Sequence, residues 1–191
     1  DDLRVVLATR HIPLVQVSAV LKERLAKVLS NSVSALKQIW NISSPRIAVA
    51  SLNPHAGENG ILGQEENQFI KPTINNFGAL NPQVDISGPY PADSLFAKAA
   101  QNYLSKPITY HLSPNNEFDL YISAYHDQVL PLIKGIGGLR AINLTSGLPY
   151  IRLSVDHGTG FDIVGKNMAN PEGLSACTNY CLELSHNKYP I

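Results

Sequence analysis

Three short apolar runs of strand length, each followed by a histidine, constrain the fold of this 191-residue chain most strongly. Leu3–Thr9 and Arg46–Leu52 are rich in β-branched and aliphatic residues, and a third run ends at Ile122–Ala124. If these strands lie parallel in one sheet, their carboxyl ends share an edge, and three imidazoles there suit a metal such as zinc or cobalt. The histidines match no compact metal motif, so by spacing alone three unrelated loop histidines remain the favoured alternative. They are His11, His55 and His126.

Helical periodicity fills the intervals between these strands. Apolar residues recur at helical spacing over Val17–Trp40, with charged residues on the opposite face. Gln64–Ile74 predicts a second helix whose last turn is weakened by Pro72, and Gly173–His186 predicts a closing helix. Alternating strands and helices with short linkers predict an α/β fold.

The middle of the chain shows less periodicity. Phe77–Gly88 is rich in turn residues, and Gly88–Phe96 predicts an irregular connection whose prolines hold Asp93 in place. Ala97–Asn116 contains few apolar residues and is interpreted as a surface excursion.

Tyr121–Gly160 concentrates histidine, aspartate, lysine, arginine and glycine between short apolar runs. Ala141–Leu144 and Tyr150–Val155 predict two further strands, and Phe161–Pro171 predicts a loop. Titratable groups at strand ends, with glycines that permit close backbone approach, are typical of a small-molecule site. An ordinary buried core is the alternative, and the number of polar groups disfavours it.

Composition limits the choice of partners and location. The formal net charge is zero and no basic patch is visible, which disfavours nucleic acid. No apolar run approaches 18 residues, so we expect a soluble cytoplasmic protein that does not enter membranes. Cys177 and Cys181 fit reduced thiols better than a disulfide framework. The length predicts one domain, with two small ones as the alternative.

Long motifs resemble the 4-hydroxythreonine-4-phosphate dehydrogenase family and occur in that family's order. The resemblance covers nearly the whole chain but only the later part of the family's chain. Residues 1–191 are therefore interpreted as a partial dehydrogenase chain that lacks the amino-terminal segment. The motifs are HIPL (His11–Leu14), NPHAGENG (Asn53–Gly60), the pair Glu65-Glu66, GPYPADSLF (Gly88–Phe96), YHDQVLPLIK (Tyr125–Lys134), INLTSGLPYIR (Ile142–Arg152) and SVDHGTG (Ser154–Gly160).

This resemblance implies an α/β/α layered mixed sheet similar to isocitrate and isopropylmalate dehydrogenases. It implies oxidation of 4-phosphohydroxy-L-threonine by NAD or NADP in vitamin B6 biosynthesis. The β-keto acid that forms then loses CO2 to give 3-amino-2-oxopropyl phosphate. It also implies a divalent metal (zinc, cobalt or magnesium) in an active site shared by the two subunits of a homodimer.

The resemblance also assigns roles to individual residues. His11 and His55 would bind the metal from one subunit and His126 from the other. Asp93 would lie beside the substrate, and we take it as the candidate proton acceptor. The substrate itself would be held by Lys134, Asn143 and Arg152, whose cations suit carboxylate or phosphate oxygens.

A second resemblance concerns the segment from His157 to Pro171. It is similar to the adenine-binding loop of isopropylmalate and isocitrate dehydrogenases, where backbone lies close to a flat base. A plain surface loop is the alternative. The resemblance implies that the cofactor is bound by His157, Gly158, Thr159, Asp162 and Gly165.

The sequence departs from the family pattern beside several expected ligands. Val129 stands where the family has glycine, and Leu153 stands where it has threonine. Three alternatives therefore stay open: a related metal- and NAD-dependent dehydrogenase for another hydroxy acid or a dihydrodiol, a non-catalytic remnant that keeps a dimer surface, and a metal-binding module without redox activity.

Overall fold

The structure is a computed structural model that describes residues 3–105 and 117–188. The chain divides into two compact units. The first unit ends at Leu132 and the second begins at Ile133.

A four-stranded parallel sheet forms the centre of the first unit. Its spatial order is β1-β4-β2-β3, and every neighbouring pair is parallel. All four carboxyl ends therefore lie at one edge of the sheet, as the sequence predicted for three of them. The strands are β1 (Val5–Leu7), β2 (Arg46–Ala50), β3 (Asp85–Tyr90) and β4 (Leu120–Ser123).

The long helix predicted between the first two strands is confirmed as α1 (Val17–Trp40). Its buried leucines lie four or seven residues apart, on one face of the helix, and pack against sheet residues that include Ile47 and Ile122. Burial of each such side chain stabilises the fold by about 1.5–3 kcal/mol. The buried leucines of α1 are Leu21, Leu25, Leu29 and Leu36.

The second predicted helix, Gln64–Ile74, is only partly correct. A π-helical turn spans Glu66–Ile70 and continues directly into α2 (Lys71–Leu80). Pro72 lies in the first turn of α2, directly after the π-helical turn. The helix continues past Pro72 to Leu80, whereas the sequence predicted that Pro72 weakens the end of a helix.

The irregular middle of the chain was also wrongly predicted. Residues 85–90 form β3, and α3 (Ala92–Leu104) follows at once, so the first part of the expected surface excursion is helical. β3 lies at the end of the strand order, where a proline is tolerated. Gly88 has φ +126°, and a Cβ there would lie 2.4 Å from the carbonyl oxygen of Val49. The close approach of β2 thus explains why a glycine occupies this position of β3, where the sequence predicted a turn. Residues 106–116 of the excursion lie outside the described residues.

An ion pair joins β2 and β4 at the amino edge of this sheet. The Asp119 carboxylate accepts hydrogen bonds from the backbone N–H of Arg46 at 2.8 Å and from its guanidinium at 2.8 and 3.3 Å. Burial alone would raise the pKa of Asp119, but the hydrogen bonds and charge of Arg46 outweigh it and lower that pKa.

Asp119→Asn is expected to reduce the free energy of unfolding of the first unit by about 2 kcal/mol at pH 7, since Arg46 is partly exposed and screened. The lowered pKa means that this stabilisation is present above the unfolded-state pKa of about 3.9. It is lost as pH falls through the folded-state pKa. Urea unfolding at decreasing pH should therefore show wild type and variant converging. Glu23→Gln, on the exposed side of α1, should change stability by less than about 0.5 kcal/mol at any pH.

The second unit contains an antiparallel pair, β5 (Ile142–Thr145) and β6 (Arg152–Val155), and the helix α5 (Glu172–Lys188). These elements confirm the predicted strands and closing helix. The structure adds α4 (Leu130–Gly137), which begins in the last residues of the first unit and whose glycines obscured its helical period. The expected mixed sheet is thus a parallel sheet in one unit and a separate antiparallel pair in the other. No helix within residues 3–105 and 117–188 is long and apolar enough to cross a membrane.

Candidate active site

The carboxyl edge of the parallel sheet carries the three histidines and Asp93. His11 follows β1, His126 follows β4, His55 follows β2, and Asp93 lies in the first turn of α3 after β3. Because β4 lies between β1 and β2, the loop of His126 begins between the loops of the other two histidines. One edge of one unit therefore holds four groups that are widely separated in sequence.

His11 and His126 lie close together. Their ring centroids lie 5.9 Å apart with the planes tilted by 46°. Two imidazoles that each bind one zinc at about 2.1 Å have centroids roughly 5–6 Å apart, so this pair lies within reach of a single ion. Thr9 fixes the spacing, since its buried hydroxyl donates to the carbonyl of Ala124 at 2.8 Å.

This adjacency occurs within one chain, whereas the family resemblance assigned His126 to the other subunit. The division of ligands between subunits stays a prediction. In the part of the chain that the structure describes, no three His, Cys, Asp or Glu side chains are grouped closely enough to hold a metal. His11, His55 and His126 of one chain therefore do not form a closed ligand set by themselves.

Neighbouring carboxylates orient two of the imidazoles. Glu58 Oε1 lies 2.6 Å from His55 Nδ1, and Asp127 Oδ1 contacts His126 Nδ1. A neutral imidazole that donates from Nδ1 keeps its lone pair at Nε2, which is the arrangement found for metal-binding histidines. Sequence reasoning missed both carboxylates, although each lies within three residues of its histidine.

His55 is 64% exposed and lies in a negative environment. Its hydrogen bond to Glu58 and the charge of that carboxylate raise the pKa of His55, and the charge of Asp93 acts in the same direction. Asp93 is thus electrostatically coupled to His55. Negative charge at this edge favours a bound cation.

In the second unit, β5 and β6 place Asn143 and Arg152 on the same face. The register pairs Asn143 with Ser154 and Thr145 with Arg152, and directly opposed residues of antiparallel strands share a face. Arg152 Nη1 donates to Thr145 Oγ1 at 2.7 Å. The face is therefore polar and carries a cation.

Lys134, the third residue predicted to hold an anion, lies on α4 and is half exposed. Its ammonium donates to the carbonyl and to Oδ2 of Asp156, each at 2.9 Å. Asp156 was not singled out from the sequence. It fixes the lysine at the end of β6, immediately before the glycine-containing segment.

The segment expected to bind adenine is exposed and has an open backbone. A Cβ added at Gly158 or Gly165 would meet no heavy atom within 4 Å, and Gly165 has φ +74°. His157 Nδ1 lies 2.9 Å from the carbonyl oxygen of Gly158, and Asp162 lies in a single 3₁₀ turn, Phe161–Ile163. Such a backbone leaves room for a flat base, so these residues fit the expected ligand.

Comparison with known protein families identifies the family to which the chain belongs. The family model described as pyridoxal phosphate biosynthetic protein PdxA matches residues 1–181. The chain belongs to the PdxA family. A 4-hydroxythreonine-4-phosphate dehydrogenase from Stenotrophomonas maltophilia is 40% identical over 189 residues, which cover 97% of this chain and 52% of that protein. The chain spans about half the length of the curated relatives it matches.

Solved structures agree with this PdxA membership. The 4-hydroxythreonine-4-phosphate dehydrogenase from Klebsiella pneumoniae superimposes with a TM-score of 0.79 at 33% identity, covering 96% of this chain and 50% of that one. The fold is thus of the isocitrate and isopropylmalate dehydrogenase type, as expected. A terephthalate 1,2-cis-dihydrodiol dehydrogenase from Burkholderia xenovorans LB400 has a TM-score of 0.64 at 29% identity, covering 91% and 50%.

One departure from the PdxA pattern has a simple structural basis. Val129 replaces the family's glycine, has φ −136° and is completely buried. A negative φ is accessible to any residue, so the backbone does not require glycine here. The substitution therefore does not by itself indicate a damaged site.

Proposed function

We propose that this chain forms part of an NAD- or NADP-dependent dehydrogenase that oxidises 4-phosphohydroxy-L-threonine, with decarboxylation to 3-amino-2-oxopropyl phosphate. One observation carries the proposal: the sheet gathers His11, His126, His55 and Asp93 at its carboxyl edge, in a chain of the PdxA family. Ligands of α/β proteins bind at that edge.

The histidines would hold a divalent metal, with zinc and cobalt best suited to imidazole and magnesium as the alternative. Such an ion would supply Lewis-acid chemistry, which lowers the pKa of a substrate hydroxyl and stabilises negative charge on oxygen. His11, His55 and His126 would form the ligand set within a homodimer, divided between the subunits as the family resemblance implies. The negative charges of Glu58 and Asp93 support cation binding at this edge.

The remaining residues bind, orient and accept a proton. Asp93, whose charge already acts on His55, would accept the proton of the substrate alcohol. Arg152 and Lys134 would bind anionic oxygens of the substrate, with Asn143 donating from the same face as Arg152. The open segment from His157 to Gly165 would bind the adenine of the nicotinamide cofactor. A cytoplasmic location completes the proposal.

Turnover by the protein extended to the full length of its relatives would test this function. We expect NADH or NADPH formation, read at the nicotinamide absorbance, with 4-phosphohydroxy-L-threonine and an added divalent metal. Chelation should abolish the signal, and re-addition of zinc or cobalt should restore it. If folded protein with bound metal forms no NADH or NADPH from this substrate, the proposal is contradicted.

The similarity to the terephthalate dihydrodiol dehydrogenase favours one second candidate, a related dehydrogenase for a cis-dihydrodiol carboxylate. Both substrates are anionic, so Arg152 and Lys134 fit either. The same assay with a cis-dihydrodiol of an aromatic carboxylate separates them. Turnover of the dihydrodiol and not of the phosphorylated amino acid would select the second candidate.

A further inference from the structure

The loop that carries His55 has an unusual backbone. His55, Ala56, Gly57, Glu58 and Asn59 have φ values of 50°, 53°, 78°, 42° and 56°, which form a continuous left-handed turn. This conformation is unfavourable for L residues because Cβ approaches the carbonyl oxygen, and only one of these five residues is glycine. Surrounding structure must therefore hold the turn in place.

A buried carboxylate lies directly against this loop. Glu66 is 1% exposed. Its Oε1 accepts from the backbone N–H groups of Leu52 and Asn53 at 2.9 and 2.8 Å, and its Oε2 accepts from Asn53 Nδ2 at 2.9 Å. One side chain thus satisfies three donors at the point where the chain leaves β2.

The same carboxylate bounds the centre of the turn. A Cβ added at Gly57 would lie 2.7 Å from Glu66 Oε2 and 2.9 Å from the carbonyl oxygen of Gly63. Gly57 is therefore required both by its φ of +78° and by the carboxylate next to it. The left-handed turn therefore packs directly against the carboxylate of Glu66.

A second acid links this arrangement to α1. Asn53 Nδ2 also donates to Glu65 Oε2 at 2.8 Å, and Ser18 donates to Glu65 Oε1 at 3.1 Å. Asn53 therefore lies between two carboxylates, one of which is anchored to the long helix. The loop is held by hydrogen bonds among Ser18, Asn53, Glu65 and Glu66.

We propose that Glu66 is a positioning residue that holds the left-handed turn of His55 and thereby sets the affinity for the catalytic metal. The inference rests on the proposed function, because it takes His55 as a metal ligand. Polar groups that support a ligand without touching the metal commonly change metal affinity 10- to 100-fold when removed.

Glu66→Gln tests this in the 191-residue chain. The amide keeps the size of the side chain but presents an NH2 group where Asn53 Nδ2 also donates. We expect cobalt(II) binding, followed by its visible absorption, to weaken by about tenfold or more. We also expect hydrogen exchange to accelerate at Ile61 and Leu62, whose amides donate to the carbonyls of Glu58 and Gly57.

Asp119→Asn is the matched control. It makes the same carboxylate-to-amide change at the amino edge of the sheet, on the side away from the histidine loops. It should lower the melting temperature while leaving cobalt affinity and exchange at Ile61 and Leu62 unchanged. An equal loss of cobalt affinity in this control would show a general effect of destabilisation and overturn the proposal.

Gly57→Ala provides a second route if Glu66→Gln does not fold. It places a methyl group against the intact Glu66 and should weaken cobalt binding and speed exchange in the same way. Folded Glu66→Gln with both readouts within threefold of wild type would overturn the proposal. If the wild-type chain binds no cobalt, the proposed metal binding is wrong. The hydrogen-exchange rates at Ile61 and Leu62 then decide by themselves whether Glu66 holds the turn.

Discussion

Arg152→Ala is expected to raise the Michaelis constant for the phosphorylated substrate by roughly 30-fold to several-thousand-fold. Loss of a charged hydrogen-bonding partner in a cleft costs about 2–5 kcal/mol of binding, and 1.4 kcal/mol corresponds to a factor of ten. Arg152 shares a strand-pair face with Asn143, and its exposed side chain bonds only to the Thr145 hydroxyl among the contacts described. Steady-state kinetics of the full-length protein measures the change.

The fold should tolerate this substitution, because Arg152 does not fill a core. Metal affinity and melting temperature should therefore stay near those of wild type. Arg140→Ala is the matched control, since Arg140 is an exposed arginine of the same unit whose ion pair with Glu172 is worth at most about 1 kcal/mol. Kinetics of Arg152→Ala within threefold of wild type would exclude substrate binding by this residue.

Removal of either ring of the His11 and His126 pair is expected to weaken metal binding roughly hundredfold. Apparent binding energies of about 10–16 kcal/mol for four-ligand zinc sites correspond to about 3 kcal/mol for each ligand. We expect both rings, whose centroids lie 5.9 Å apart, to bind one ion. Each single variant should therefore weaken the same binding event without changing the number of cobalt ions bound, and the double variant should weaken that event further than either single variant.

Titration of His11→Ala, His126→Ala and the double variant with cobalt(II) measures these effects. His157→Ala changes a histidine of the other unit and should leave cobalt affinity unchanged. A single variant that loses one cobalt ion while a remaining ion keeps its wild-type affinity would show that the two rings bind different ions. Wild-type affinity in either single variant would remove that residue from the ligand set.

Elements with a long and regular pattern could be predicted from the sequence. The 24-residue α1 has bounds identical to those of its apolar period, because a mistake at one position cannot disturb so long a repeat. The histidines also lie at one edge of a parallel sheet, as the strand pattern indicated. Which carboxylates orient them was missed, since short-range ion pairs have no distinctive pattern.

Elements that depend on contacts with residues distant in the sequence could not be predicted. β3 contains Gly88 and Pro89, which indicate a turn when taken alone. Gly88 fits the strand because Val49 approaches closely, and Pro89 is tolerated because β3 lies at the edge of the sheet. Glu66 looked like an ordinary acid in a first helical turn. Its partners are 13 and 14 residues earlier in the chain, and only the fold reveals that they meet.

The position of β4 in the sheet has a consequence for the order in which the first unit can assemble. β1 and β2 are separated in space by β4, which begins 70 residues after the end of β2 in the chain. A growing chain that has passed α3 still lacks β4, the strand that pairs with both β1 and β2. The four-stranded sheet therefore cannot form until β4 is present. Such long-range closure slows folding relative to a fold built from local contacts. The loops of His11 and His55 therefore acquire a common frame only in the last step of that assembly, when His126 arrives with the strand that completes it.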